Sequence, residues 1–171
     1  MQIKLLDHSH EVTNVFSLMG KLENDITKSI AWVMANNTML VSEILEQIYP
    51  KIAKSIQMDH LRIEYQKYSS GKGYTDLELI DLDNNIHIII EAKRGWLLPL
   101  KDQLEQYRDR DDFKNSKAKF KCIVSMSECS HAYASTYLPE IKGVLVKHVS
   151  WEDVYYATKK SYLKSNNKQK I

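Results

Sequence analysis

Residues 73–94 read GYTDLELIDLDNNIHIIIEAKR, and three charged side chains, Asp76, Glu91 and Lys93, interrupt otherwise apolar runs there. Carboxylates and an ammonium inside strands cost free energy unless something compensates them. Two compensations have suitable chemistry. One is a salt-bridge cluster at a strand end. The other is a metal centre, because two carboxylates with open positions left for water and phosphate suit Mg²⁺, with Mn²⁺ as a substitute. Such an ion polarises a phosphodiester and lowers the pKa of an attacking water. A lysine two residues from a ligand can then orient that water or steady the phosphate.

The elements that must position these residues begin with a hairpin. A two-residue turn centred on Asp83-Asn84 pairs positions summing to 167 and sets Asp76 opposite Glu91. A turn centred on Asn84-Asn85 sums to 169 and sets Asp76 opposite Lys93. Asn-rich turns accept the positive φ that tight hairpins need. In either register Asp76, Glu91 and Lys93 share one face, with Glu78 beside them nearer the turn, unless a bulge breaks the parity.

Around the hairpin, Leu22, Ile26, Ile30 and Val33 recur at helical spacing over residues 21–35, and Asn36-Asn37 stops that helix. Ser42 caps a second helix running from Glu43 to about Ile56. Strands follow at 60–68, 74–82 and 86–94. Pro99 starts a helix carrying Leu100, Leu104 and Tyr107. A strand at 120–126, a short helix at 131–138 and a strand at 144–149 come next. Ser150 with Asp153 is a capping-box pattern for a last helix, whose lysine-rich end is expected to fray. Strands that first meander and then alternate with helices predict an α/β fold with a mixed central sheet flanked by helices on both faces.

Composition narrows the rest. The 171 residues suffice for one domain, and scarce Gly (5) and Pro (3) argue against linkers, so 1–171 is read as a single domain with its core at about 20–155. Net charge is only +2, but Lys93–Lys121 holds nine Lys or Arg against five Asp or Glu, and five Lys without an acid follow Asp153. These runs are either solvated surface or phosphate contacts. Two cysteines make no disulfide framework, and Cys122 reads as a buried small hydrophobe. Asp7, His8, His10 and Glu11 lack metal-ligand spacing and read as solvated. Tyr65, Tyr68 and Tyr74 read as strand packing residues, with stacking on bases as the other use of such rings. With no membrane-length apolar run and no signal-peptide pattern, a cytoplasmic protein without a membrane partner is expected.

Asp76, fourteen residues, then Glu91-Ala92-Lys93 at the end of an apolar strand resembles the PD-(D/E)XK nuclease superfamily, with Thr75 where the motif name has Pro. Two further stretches add to the likeness. Gln103-Leu104-Glu105-Gln106-Tyr107 resembles the Gln-x-x-x-Tyr motif of the RecB-like branch. Leu22-Glu23-Asn24-Asp25-Ile26-Thr27 resembles first-helix segments of such nucleases. Spacing alone does not choose between Glu23 and Asp25 as a third acid; the resemblance favours Glu23.

Together these motifs cover residues 20–155. The resemblance implies a restriction-endonuclease-like αβββαβ core and a Mg²⁺-dependent nuclease, an endonuclease acting on DNA. Asp76, Glu91, the Ala92 carbonyl and Glu23 would bind metal. Lys93 would act on the water and the scissile phosphate. Gln103 would orient a substrate phosphate or Lys93, with Tyr107 packed behind it and Arg94 on a phosphate. It also implies a role in restriction, repair or phage defence. The small size and single core suggest a homodimer or a subunit of a larger assembly. The alternative is a catalytically silent nuclease-fold module for nucleic-acid binding or protein interaction.

Overall fold

The computed structural model describes residues 6–7, 10–11, 20 and 22–168. Leu6–Asp7 (β1) and His10–Glu11 (β2) pair antiparallel. His8, of the acid and histidine group near the start, lies outside the described residues.

Ile86–Ala92 (β5) is buried at every position because it is the middle strand of a five-stranded sheet. On one side lie Gly73–Asp81 (β4) and Leu61–Ser69 (β3), joined as antiparallel neighbours. On the other lie Phe120–Ser127 (β6) and Leu145–Ser150 (β7), both parallel to β5. The sheet is therefore mixed, as the pattern of the chain predicts. A strand covered on both faces reads as a continuous apolar run. Ile88, Ile89 and Ile90 are each fully buried, and each contributes about 1.5–3 kcal/mol of transfer free energy.

Helices cover both faces. Glu23–Asn36 (α1) rests on β3 and β4, and its buried residues are Thr27, Ala31 and Met34. The expected stripe is thus rotated: Leu22 and Ile26 are exposed, while Ile30 and Val33 pack at the margin of the core. Small side chains at 27 and 31 let the helix approach the sheet closely.

Asn37 ends α1 and caps Thr38–Ile48 (α2), its side-chain oxygen accepting from the Leu40 N–H at 3.0 Å. The second helix therefore starts before Ser42 and stops well short of Ile56. Pro50 is the reason, since the residue before a proline is pushed out of the helical region. Tyr49 sits at φ −154°, ψ 90°, and only a short Pro50–Ala53 helix (α3) follows. Helices α1 and α2 and the long Trp151–Lys168 helix (α7) pack with Leu77, Leu79, Ile88, Ile90, Cys122 and Val124 in the larger core.

The opposite face carries Lys101–Arg108 (α4) and a short Asp111–Lys114 helix (α5) that the sequence reading did not anticipate. Their Leu104, Tyr107 and Phe113 pack on Ile89 and Ile123. Leu100, expected on the same stripe, is exposed. His131–Tyr137 (α6) lies beside β7.

The capping box of α7 is present: the Asp153 carboxylate accepts from the Ser150 N–H at 2.7 Å, and the Ser150 hydroxyl accepts from the Asp153 N–H at 3.0 Å. The helix runs to Lys168, the last described residue. Both cysteines are free and buried, and burial pushes the Cys122 thiol up to about 12. Among the described residues no helix is long and apolar enough to cross a membrane.

Candidate active site

The β4–β5 ladder pairs Leu77 with Ile90, Glu78 with Ile89 and Ile80 with His87, so positions sum to 167. This is the first of the two registers allowed by the turn. The connection itself is built on Asp81, whose carboxylate accepts from the N–H groups of Asp83 and Asn85. Asn84 takes the positive φ (59°) that the turn requires.

The ladder stops one pair short of Asp76 and Glu91. There the Ala92 N–H is taken by the Asp76 carboxylate, at 2.8 Å from Oδ2. Asp76 thus lies at the open end of the hairpin, where β4 leaves β5. In the adjoining strand, Gln66 stands opposite Asp76 and is missing from an otherwise continuous pairing, with φ at +46°.

Glu91 is almost completely buried and is held from two sides. Its Oε1 accepts from Lys93 Nζ and from Gln103 Nε2, the latter at 2.6 Å. Its Oε2 accepts from the Tyr107 hydroxyl at 2.5 Å. Gln103 Nε2 also lies 3.1 Å from that hydroxyl, as the i, i+4 spacing on α4 allows. Gln103 and Tyr107 therefore both act on Glu91. The expected roles, Gln103 on a substrate phosphate or Lys93 with Tyr107 packed behind it, are thus joined by direct hydrogen bonds from both side chains to Glu91.

Glu23, in the first turn of α1, reaches the same place. Its Oε1 is 3.4 Å from Lys93 Nζ, and its Oε2 accepts from the Arg94 N–H at 2.8 Å. Asp25 does something else: its carboxylate accepts from the Leu22 N–H at 2.9 Å and caps α1. The structure thus brings Glu23 to the lysine and leaves Asp25 as a cap. The Arg94 side chain is exposed beyond the strand.

One contact had no signal in the motifs. The Trp151 indole N–H donates to the Lys93 carbonyl at 3.0 Å, fixing the backbone that carries the ammonium. The Lys93 N–H in turn donates to the Met126 carbonyl at 2.7 Å.

Glu91 and Glu23 thus pair with one ammonium, and Asp76 acts on it by charge alone. Burial and the nearby Glu91 charge raise Asp76 to about 7. Burial alone would lower Lys93, but its hydrogen bond to Glu91 and the charges of Glu91, Glu23 and Asp76 outweigh that and raise it. Burial and the Glu91 charge also push the Tyr107 hydroxyl well above the usual phenol range, so it stays a donor.

Glu78, expected beside these acids, belongs to a separate group. Its Oε1 accepts from Thr75 at 2.9 Å and pairs with Arg110 at 3.2 Å. Its Oε2 lies 2.9 Å from His87 Nε2 and 3.3 Å from Lys67 Nζ. Arg110, fully buried, further donates to the carbonyls of Gly73 and Lys67.

The donor chemistry around Asp76 and Glu91 fits a hard divalent cation. The donors are carboxylate oxygens, and burial and the Glu91 charge, which together raise Asp76, disfavour the ionised carboxyl that such an ion would stabilise. Among the described residues no group of three or more His, Cys, Asp or Glu side chains is already gathered closely enough to hold a metal ion. Of the tyrosines, Tyr65 packs against the larger core, whereas Tyr68 and Tyr74 are exposed. No family model matches the sequence, and neither a curated protein nor a solved structure shows significant similarity to it.

Proposed function

We propose that this chain is a metal-dependent nuclease that hydrolyses phosphodiester bonds in DNA on a restriction-endonuclease-like αβββαβ core. The observation that carries this reading is the meeting of Lys93 with Glu91 and Glu23 at the strand end where Asp76 is crowded into a raised pKa. Asp76, Glu91, Glu23 and the Ala92 carbonyl would hold Mg²⁺ or Mn²⁺. When bound, that ion supplies neutralisation of the phosphate charge and acidifies a water.

The remaining work falls to the chain. Lys93 orients the water and holds the scissile phosphate by charge. Gln103 and Tyr107 fix both oxygens of Glu91, so that this carboxylate is preorganised rather than free to rotate. Arg94, exposed one residue further on, contacts a neighbouring phosphate. The small size and single core suggest a homodimer or a larger assembly, in a restriction, repair or phage-defence setting.

The alternative is a silent nucleic-acid-binding module. It is favoured by the donors that already engage both oxygens of Glu91. Incubation with plasmid, linear duplex and single-stranded DNA, in Mg²⁺ or Mn²⁺ against EDTA, separates the two. The nuclease reading expects metal-dependent cutting that Lys93→Ala reduces by about 10²–10⁴-fold. Cutting that survives both Lys93→Ala and Asp76→Ala removes the site assignment. Binding without any cutting selects the silent module.

A further inference from the structure

The candidate site is bordered by aromatic rings that the fold does not bury. Tyr74 stands two residues before Asp76, a strand separation of about 7 Å. It pairs across the ladder with Tyr68, their ring centroids 5.0 Å apart. Both rings are well exposed, at 60% and 58%.

On the other side of the site, Trp96 stands three residues beyond Lys93 and is 59% exposed. Its segment is fastened to the end of β6, since Gly95 and Glu128 exchange two hydrogen bonds. That fastening sets the indole edge-on to Tyr133 of α6, at 5.6 Å, and Tyr133 lies 4.6 Å from Tyr137, which is 63% exposed. In the strand order β3-β4-β5-β6 the two groups therefore flank the carboxylates of β4 and β5 on opposite sides.

Large exposed rings gathered in this way mark a contact surface rather than packing. The identity of the partner follows from chemistry. A duplex hides its base faces in its own stack and presents phosphates and groove edges, which cations and amides read. Rings standing clear of a surface gain from base faces only where the bases are unpaired. Exposed Arg94 and Lys101 lie on either side of Trp96 in the chain and supply the positive charge that a phosphate backbone needs.

We propose that the site takes an unpaired nucleic-acid strand, whose bases stack on Trp96, Tyr133 and Tyr137 on one side of the carboxylates and on Tyr74 and Tyr68 on the other. This deepens the nuclease reading and rests on it for the chemistry, while the binding can be measured apart from cutting.

The experiment uses the full chain carrying Lys93→Ala in Mg²⁺, so that the strand survives. The probes are labelled oligo-dT of about 12 nucleotides, the matching oligo-rU, and the dT·dA duplex. Fluorescence anisotropy is expected to show the unpaired strand bound about tenfold more tightly than the duplex, with quenching of tryptophan emission. Adding Trp96→Ala should weaken unpaired binding by about tenfold, the effect of one lost stack, remove most of the quenching and leave duplex binding unchanged. Trp96→Phe should retain most of the affinity, and Tyr74→Ala should weaken binding independently. Comparing dT with rU tells a DNA strand from an RNA strand.

Equal affinity for duplex and unpaired strand overturns the proposal. So does unpaired binding untouched by Trp96→Ala and Tyr74→Ala, with a change in self-association instead marking the rings as a protein contact. Strong unpaired binding combined with no cutting by the parent chain under any condition would keep the stacking surface and remove the nuclease reading. Cutting that prefers duplex would do the reverse.

Discussion

Two buried glutamates on neighbouring strands face opposite electrostatic situations. Glu78 on β4 sits among Arg110, Lys67, His87 and Thr75, with Glu64 and Asp112 sharing Lys67. Burial alone would raise Glu78, but the His87 hydrogen bond, the Lys67 charge and the Thr75 hydroxyl more than offset it and hold the carboxyl below its ordinary value. Around Glu91, two carboxylates pair with Lys93 and a third, Asp76, lies near it without pairing; burial and the Glu91 charge raise Asp76 to about 7. With Arg62 also pairing Glu64, three acids there face three permanent cations, and a cluster balanced in this way acts as a structural joint. A cluster left short of positive charge at an open strand end is ready for a cation and a phosphate. Types of residue hardly differ between the two groups; the ratio of acids to bases does.

The largest effect that tests this contrast is Arg110→Ala. Removing the fully buried guanidinium takes one cation from Glu78 and the donors from the Gly73 and Lys67 carbonyls, while Lys67 and His87 remain, so the cost is about 3 kcal/mol, the low end for a broken buried pair. Chemical denaturation should show this loss. Lys93→Ala, by contrast, should cost less, because Lys93 sits at the partly open end and Gln103 and Tyr107 still donate to Glu91 after its removal. If Lys93→Ala proves as destabilising as Arg110→Ala, the two clusters are alike and the carboxylate site is structural.

A smaller effect is read from pH. Asp76 has a folded pKa raised to about 7, against 3.8 for the free side chain. An acid shifted upward stabilises the fold fully below its unfolded value, where both states hold the proton. That contribution is lost as pH rises from about 4 to about 7, because the unfolded chain ionises first. In EDTA, Asp76→Asn should therefore be more stable than the parent at pH 8, by about 1–3 kcal/mol. The two should converge at pH 4. Saturating Mg²⁺ should stabilise the parent at pH 8 and not the variant. Melting curves across this range check the sign, and an Asp76→Asn variant no more stable than the parent at pH 8 without metal would show that burial and the Glu91 charge do not destabilise the ionised Asp76.

Much of the fold is legible in the chain because local chemistry and tertiary packing agree. The Ile88-Ile89-Ile90 run declares a doubly covered strand, the Asp-Asn-Asn turn limits the register to two choices, and Ser150 with Asp153 announces α7. Misreadings occur where one residue overrides a period. Pro50 cuts a helix whose isoleucines continue beyond it to Ile56, and Asn37 serves both as the stop of α1 and the cap of α2. The inward stripe of α1 follows Thr27 and Ala31 rather than larger apolar residues, because close approach to the sheet favours small side chains.

Around the candidate site, residue types point to Asp76, Glu91 and Lys93, but the choice of Glu23 over Asp25 depends on a cap hydrogen bond that spacing does not display. Arg110 and Trp151 carry no motif at all. Each acts through a contact across more than 35 residues of sequence, with the Gly73 carbonyl in one case and the Lys93 carbonyl in the other.

The smallest effect concerns how firmly Glu91 is set. Its Oε2 depends on the Tyr107 hydroxyl, whereas its Oε1 has both Lys93 and Gln103. The single Tyr107 proton goes to the carboxylate at 2.5 Å rather than to the Tyr74 carbonyl at 3.2 Å, since a charged acceptor at the shorter distance wins. Tyr107→Phe deletes that bond while keeping the ring between Leu104 and the sheet. The expected loss of stability is about 1.5 kcal/mol, at the low end for a bond to a charged group because Gln103 and Lys93 remain. The effect should move from stability into the site: one free oxygen lets Glu91 rotate, so metal-dependent cutting should fall by about tenfold with little change in oligonucleotide affinity. A variant that cuts as well as the parent would show that the lysine and glutamine alone suffice to orient the carboxylate. A drop in affinity equal to the drop in cutting would instead place the hydroxyl on the substrate.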